Sequence, residues 1–223
     1  MTQRVRALID LAALKTNFAQ VKAAAPNSRV VAVIKANAYG HGVLRAAQAL
    51  PHADAFAVAS LEEALVVRTA GIEKRVLVLG GVYTADELKR AAENKVELVV
   101  HSEAQLRLLE SASLSTAVGV WLKVDTGMHR LGVAPAKFQD FYQRLCALKH
   151  IKRPLVIMTH FASADEADDP TTPLQLKRFQ ISIAGTEAEY SCANSAGLLR
   201  YPAAHFDWVR PGIMLYGASP FPN

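Results

Sequence analysis

Cysteine is scarce in this sequence: Cys146 and Cys192 are the only two among 223 residues. They stand far apart, in neither a metal-ligating nor a redox spacing. That pattern excludes a disulfide scaffold, predicts no metal centre, and points to a reducing compartment, the cytoplasm. Long apolar runs are missing as well. None approaches the ~20 residues that cross a bilayer, and the opening Met-Thr-Gln-Arg-Val-Arg lacks the apolar core of a secretory leader. A dominant charge is also absent. The net charge is a modest +5, and the basic pairs Lys74-Arg75, Lys152-Arg153 and Lys177-Arg178 are scattered rather than gathered into an aromatic-laced stripe. Membrane and nucleic-acid partners are therefore not expected.

With 51 % apolar and 20 % charged residues, the composition is that of a globular enzyme with enough chain for a real core. Short apolar runs alternate with helical stretches. Strands are expected at 29–34, 55–59, 75–79, 96–100, 117–124, 155–159, 189–192 and 206–210; their continuous β-branched character suits strands covered on both faces. Between them stand helix starts with the spacing of a capping box: Ser60 to Glu63, Thr84 to Glu87, Ser102 to Gln105, and Thr172 to Gln175 with Pro173 at the first helical position. Eight strands with intervening helices predict a (β/α)₈ barrel of the TIM type. An open doubly wound sheet is the alternative that strand count leaves standing. Residues 4–9 alternate Arg4 and Arg6 with Val5, Ala7 and Ile9 and read as an extra strand. Asp10 then caps a helix running to about Ala25, and Pro26-Asn27 turns the chain. The domain organisation expected is an N-terminal strand and helix over 1–25 and a barrel over 26–223.

Chemistry in such a barrel gathers where strands end. The first expected strand runs straight into Lys35, followed by Ala-Asn-Ala-Tyr-Gly-His-Gly over 36–42. An amine partly desolvated by its apolar strand is a nucleophile toward carbonyl groups, whereas a snorkelling surface lysine is the plainer alternative. The Tyr39-Gly40-His41-Gly42 turn offers a phenol donor and flexible backbone suited to a phosphate.

Lys-Ala-Asn-Ala-Tyr-Gly-His-Gly resembles the cofactor-lysine signature of bacterial alanine racemases, which use pyridoxal 5′-phosphate. The similarity continues through Trp-Leu-Lys-Val-Asp-Thr-Gly-Met-His-Arg-Leu-Gly at 121–132, Thr-His-Phe-Ala at 159–162, Cys-Ala-Asn-Ser at 192–195 and Val-Arg-Pro-Gly-Ile at 209–213. The resemblance implies that Lys35 holds the cofactor and serves as one of two acid–base groups at the substrate α-carbon. It implies that Arg210 donates to the pyridine nitrogen. Ser195, Gly212, Ile213 and Tyr39 would then bind the phosphate, with Asn194 beside them, Leu79 contacting the ring, and His160 helping to set the pyridine and second-base environment. Arg130 would meet both the cofactor's phenolic oxygen and the substrate carboxylate, and Lys123 is a candidate for carbamylation. His41, His101 and His129 receive no role.

Racemisation moves a proton off one face of the α-carbon and onto the other, so one base is not enough. In the family the second base is a tyrosine from a β-rich C-terminal domain of the partner subunit in a head-to-tail homodimer. No tyrosine here matches it. The expectation is therefore an N-terminal, cofactor-binding part of an alanine racemase, acting on alanine to supply D-alanine for peptidoglycan and poorly active alone. Residues 4–9 resemble the segment that pairs with that absent domain. Two rivals are a single-domain pyridoxal-phosphate carrier without racemase activity, and a phosphate-handling barrel without the cofactor.

Overall fold

The structure, a computed structural model, describes residues 6–221. Among them, eight parallel strands close into a barrel in chain order: β1 (Arg29–Val33), β2 (Ala55–Val58), β3 (Arg75–Val78), β4 (Glu97–Val100), β5 (Val120–Lys123), β6 (Leu155–Met158), β7 (Ala188–Ser191) and β8 (Trp208–Val209). The TIM-type barrel is the fold expected; the open sheet is not. Helices α3 (Val43–Ala49), α4 (Leu61–Thr69), α5 (Ala85–Glu93), α6 (Glu103–Ser111), α7 (Pro135–Ala147), α8 (Thr171–Ile183) and α9 (Ser195–Arg200) follow the strands in turn. The turn α2 (Lys35–Tyr39) separates β1 from α3. Among the described residues, β8 is followed by the short 3₁₀ turn Ile213–Tyr216. The helix preceding β1, α1 (Leu11–Ala24), packs beside α3, α9 and that turn. It lays Leu14, Phe18 and Val21 on the same apolar layer as the other helices. Asp10 caps it by accepting from Ala12 N–H at 2.8 Å and Ala13 N–H at 3.0 Å.

The extra strand expected over 4–9 falls partly on residues 4 and 5, which lie outside the described residues. Residues 6–9 carry no strand, because a closed barrel presents no free edge for them to pair with. Two other expectations are corrected in length. Strand 117–124 shrinks to Val120–Lys123, with isolated bridges at Val118 and Val124, and 206–210 shrinks to Trp208–Val209.

Period-two alternation sorts each strand between two apolar layers. Val31, Val33, Ala55, Ala57, Leu77, Val99, Trp121, Val156, Met158 and Trp208 fill the barrel interior. Their neighbours, such as Val30, Ala32, Phe56, Val76, Leu98, Leu122 and Ile157, face the helices. Most strand positions on both faces are therefore apolar, and this is why most strands read as unbroken runs; β7, with Glu189 and Ser191 at inward positions, is the exception.

The N-terminal end of the barrel is shut by a polar and aromatic plug. The Arg29 and Arg75 guanidinium groups stand 4.1 Å and 4.6 Å from the Trp208 ring centre. Glu97 accepts from Arg75 through both oxygens, at 2.6 Å and 2.9 Å, and from Trp121 Nε1 at 2.8 Å. Glu189 accepts from Arg29 at 2.8 Å and from Trp208 Nε1 at 2.7 Å. Gly119 is required here, since a Cβ would lie 2.8 Å from Glu97 Cγ.

Of the four helix starts, Thr84 and Glu87 form the full reciprocal box. Ser60 and Ser102 accept from the third amide, but the side chains of Glu63 and Gln105 go elsewhere. The expected start at Thr172 is wrong. Asp169 Oδ1 accepts from Thr171 N–H at 2.7 Å, so α8 begins at Thr171. A carboxylate two residues upstream captures the helix terminus and places Thr172 within the first turn, where its hydroxyl is buried without a partner.

Replacing Glu97 with Ala strands the buried Trp121 indole N–H and frees Arg75. We expect about 2 kcal/mol of lost stability, read as a lower urea midpoint with an unchanged slope. A midpoint equal to that of the parent chain would show that the plug contributes nothing.

Candidate active site

At the opposite end, the inward parity of the strands continues past the last interior residues. Two positions beyond Val33 is Lys35; beyond Leu77, Leu79; beyond Trp121, Lys123; beyond Met158, His160; and beyond Trp208, Arg210. These five side chains line one cavity of roughly 570 Å³. Arg130, on the loop after β5, joins them at its rim, and Asn194, Ser195, Gly212, Ile213 and Tyr39 form the wall beside β7 and β8. Every residue that the sequence singles out for the site therefore lines the same space. His101 does not; it is buried beneath, bonded to Gly80 O and Gln105.

Lys35 enters the cavity from a strained backbone. Ala36, Asn37, Ala38 and Tyr39 have φ of 52°, 53°, 55° and 53°, so α2 winds left-handed. Each non-glycine residue held this way costs ~1–2 kcal/mol, and the surroundings must hold the turn closed. Asn37 Oδ1 accepts from Val43 N–H at 2.9 Å, and its carbonyl accepts from Gly42 N–H at 2.8 Å. The Tyr216 ring stacks on Tyr39 with centroids 4.8 Å apart, touches His41 at the same distance, and anchors its hydroxyl on Val33 O at 2.8 Å.

The wall beside β8 is built for close approach. A Cβ on Gly212 would lie 2.6 Å from Tyr39 Oη, so glycine lets the phenol reach the 212–213 backbone. Ser195 Oγ accepts from Gly212 N–H at 3.0 Å. Burial pushes the Tyr39 phenol up, which keeps its proton available for donation. Asn194 is the cap of α9 and accepts from Gly197 N–H at 2.8 Å.

Arg210 is buried, with Nη1 donating to Ser191 Oγ and Nη2 to the Thr159 and Cys192 carbonyls. Burial lowers its pKa to about 10, still far enough above neutrality to keep the charge. Lys123 is 7 % exposed. Burial, then Arg210 and Arg130, bring its amine from 10.5 down to about 8, against an opposing pull from Asp125. Burial first, then Arg210, Lys123, Arg130 and Lys35, hold His160 well below the usual imidazole range, so its ring is neutral near pH 7.

Among the described residues, four cationic side chains, Lys35, Lys123, Arg130 and Arg210, thus face a lining with one carboxylate, that of Asp165. The chemistry of this donor set fits a dianionic phosphate and a carboxylate together.

Three supporting residues were not identified from sequence. Gln175 Nε2 donates to His160 O at 3.0 Å and to Thr126 Oγ1 at 3.2 Å, while its Oε1 accepts from Ala162 N–H at 2.9 Å. It ties the His160 segment to the loop that leads to Arg130. Asp125 shapes that same loop by accepting from Gly127 and His129 N–H. Glu63 accepts from the amide that follows Lys35. In the sequence each reads as an ordinary polar residue, and only Glu63 and Gln175 carried a signal, their capping-box spacing.

The family described as alanine racemase, N-terminal domain, matches residues 9–220. The chain belongs to the alanine racemase N-terminal domain family. It is 51 % identical over 215 residues to an alanine racemase of Yersinia pestis, covering 96 % of this chain and 60 % of the relative. An alanine racemase of Halorhodospira halophila is 48 % identical over 222 residues, covering 99 % and 61 %. The crystal structure of biosynthetic alanine racemase from Pseudomonas aeruginosa superposes with a TM-score of 0.93 at 43 % identity, covering 96 % of this chain and 60 % of that one. The chain therefore spans about three-fifths of the length of these alanine racemases.

Lys123 makes the stability of this alanine racemase domain depend on pH. Its amine has a lower pKa folded (about 8) than unfolded (near 10.5). Between those values the unfolded chain binds the extra proton, so stability rises with pH through that window; below it the cost of the buried charge is fully present. In carbon-dioxide-free buffer, Lys123→Met should be more stable than the parent at pH 7 by up to about 3 kcal/mol, with the gap closing by pH 10.5. Urea titrations of both chains at the two pH values check this. A pH-independent gap would rule it out.

Proposed function

We propose that this barrel holds pyridoxal 5′-phosphate and, as the cofactor-binding part of an alanine racemase, interconverts L-alanine and D-alanine, supplying D-alanine for peptidoglycan. The supporting observation is the seam between β8 and β1, which brings Lys35 and Arg210 to one cavity with the Ser195–Gly212–Tyr39 corner beside them. When bound, the cofactor supplies an electron sink for the electron pair left at the substrate α-carbon.

The chain's own groups divide the remaining work. Lys35 Nζ holds the cofactor and carries the proton on one face of the α-carbon. Ser195 Oγ, Tyr39 Oη and the backbone of Gly212 and Ile213 hold the phosphate. Leu79 and the neutral His160 border the ring. Arg210 offers N–H to the ring nitrogen and keeps its own proton, so that nitrogen stays unprotonated. This weakens the sink and disfavours side reactions that need a long-lived carbanion. Arg130 presents a planar fork to the substrate carboxylate. With a pKa of about 8, roughly a quarter of the Lys123 amine is neutral at pH 7.5, and the neutral form is the one that carbon dioxide carbamylates. The resulting anion would turn a repulsion with Arg130 into an attraction.

The opposite face needs a second proton carrier. We assign it to a tyrosine of a second, β-rich domain, delivered by the partner of a head-to-tail homodimer, and place the protein in the cytoplasm. Two free cysteines support that location. The carrier without racemase activity has no comparable support, because the relatives at about half identity are racemases.

Incubation with pyridoxal 5′-phosphate and then borohydride should add the reduced cofactor at Lys35, seen by peptide mass spectrometry, and Lys35→Ala should abolish it. The chain alone should form D-alanine on the order of 100-fold or more slower than a relative that has both carriers. Failure to label Lys35 would sink the proposal. Separately, ¹³C-bicarbonate should give a carbamate resonance that Lys123→Met removes; its persistence in the variant would refute the assignment to Lys123.

A further inference from the structure

The barrel ladder breaks where Lys35 leaves it. Ile34 N–H donates to Ala57 O at 2.8 Å, as a parallel pair requires. A regular ladder would next run from Ala59 N–H to Ile34 O and from Ala36 N–H to Ala59 O. Neither bond forms. Ile34 O accepts instead from Ala38 N–H at 2.9 Å, inside the left-handed turn, and Ala59 O accepts from Gly80 N–H at 3.2 Å. The two displaced amides are both taken up by one side chain. Glu63 Oε1 accepts from Ala36 N–H and Oε2 from Ala59 N–H, each at 2.8 Å.

Glu63 stands in the first turn of α4, held by Ser60 Oγ on its own amide at 3.3 Å. Its spacing from Ser60 would allow the usual reciprocal cap, yet its carboxylate turns toward the active-site rim. Ala36 is the residue directly after Lys35 and the first of the four left-handed ones, and Ala59 lines the cavity. A carboxylate suits this task because both oxygens accept. An amide would satisfy one N–H and present its own donor to the other.

We propose that Glu63 is a positioning residue for Lys35: it bridges the ends of β1 and β2, fixes the backbone on which the amine is mounted, and so sets the amine's aim into the cavity. This rests on the reading of Lys35 as the cofactor-holding amine. Glu63 itself touches no reacting atom.

The test separates mounting of the amine from binding of the ligand. Pyridoxine 5′-phosphate has the cofactor's ring and phosphate but no aldehyde, so its affinity reports the pocket alone. Borohydride-trapped attachment of pyridoxal 5′-phosphate reports the aim of Lys35. Glu63→Gln should slow attachment by about tenfold or more, while pyridoxine 5′-phosphate binds as in the parent chain. Glu63→Asp keeps both oxygens and the charge but is one methylene short, and it should slow attachment as well; it decides the matter if the Gln variant misfolds. Attachment at the parent rate in the folded variants, or an equal loss of both ligands, would overturn the assignment. The unmutated chain distinguishes the two ideas. If it takes up no pyridoxal 5′-phosphate, the proposed function fails first and this inference with it.

Discussion

The seam between β8 and β1 is the interaction on which the rest of the molecule depends. β8 is two residues long, and its register with β1 rests on Arg29 opposite Trp208 and Val30 opposite Val209. Arg29 N–H to Asp207 O at 2.9 Å and Val33 N–H to Pro211 O at 3.0 Å extend the contact at both ends. Trp208 anchors the same seam from inside, stacked by Arg29 and Arg75. Without this closure the sheet would have two open edges, and Lys35 and Arg210 would not share a cavity.

A second constraint is electrostatic. The closed barrel aims Lys35, Lys123 and Arg210 into one mouth, and Arg130 joins at the rim, with Asp165 as the lone carboxylate among the described lining residues. The depressed Lys123 amine and the neutral His160 both record that crowding. Such a site is unfavourable until an anion arrives, so folding energy is traded against readiness to bind one. The interior below and the plug at the far end supply the apolar contact and paired charge that let the mouth remain uncomfortable.

The barrel was legible because parallel strands covered on both sides are mostly continuously apolar, and such runs stand out between helical stretches; only the seventh, Ala-Glu-Tyr-Ser, is polar in its interior. Lys35 was legible because it follows a buried run directly, whereas Lys123, His160 and Arg210 stood out only through the family resemblance; the inward parity that brings all four together is a property of the folded barrel. What sequence did not reveal was set by tertiary competition. Asp169 took the start of α8 from Thr172. Glu63 and Gln105 looked like cap partners but bonded to backbone outside their own caps. The role of Gly212 depends on the Tyr39 hydroxyl, which lies 173 residues away in the chain. The left hand of α2 has no local marker beyond Asn37 and the glycines that follow it, Gly40 and Gly42, because alanine and tyrosine ordinarily avoid that region.

That turn carries an implication for portability. The octapeptide from Lys35 to Gly42 looks like a self-contained module, yet its mirror-image winding is enforced by a helix, a stacked ring and a neighbouring strand that are remote in sequence. Spliced into a foreign barrel without those braces, the same eight residues would relax to ordinary right-handed backbone and carry the amine off its line. The signature identifies the family, but the scaffold around it supplies its shape.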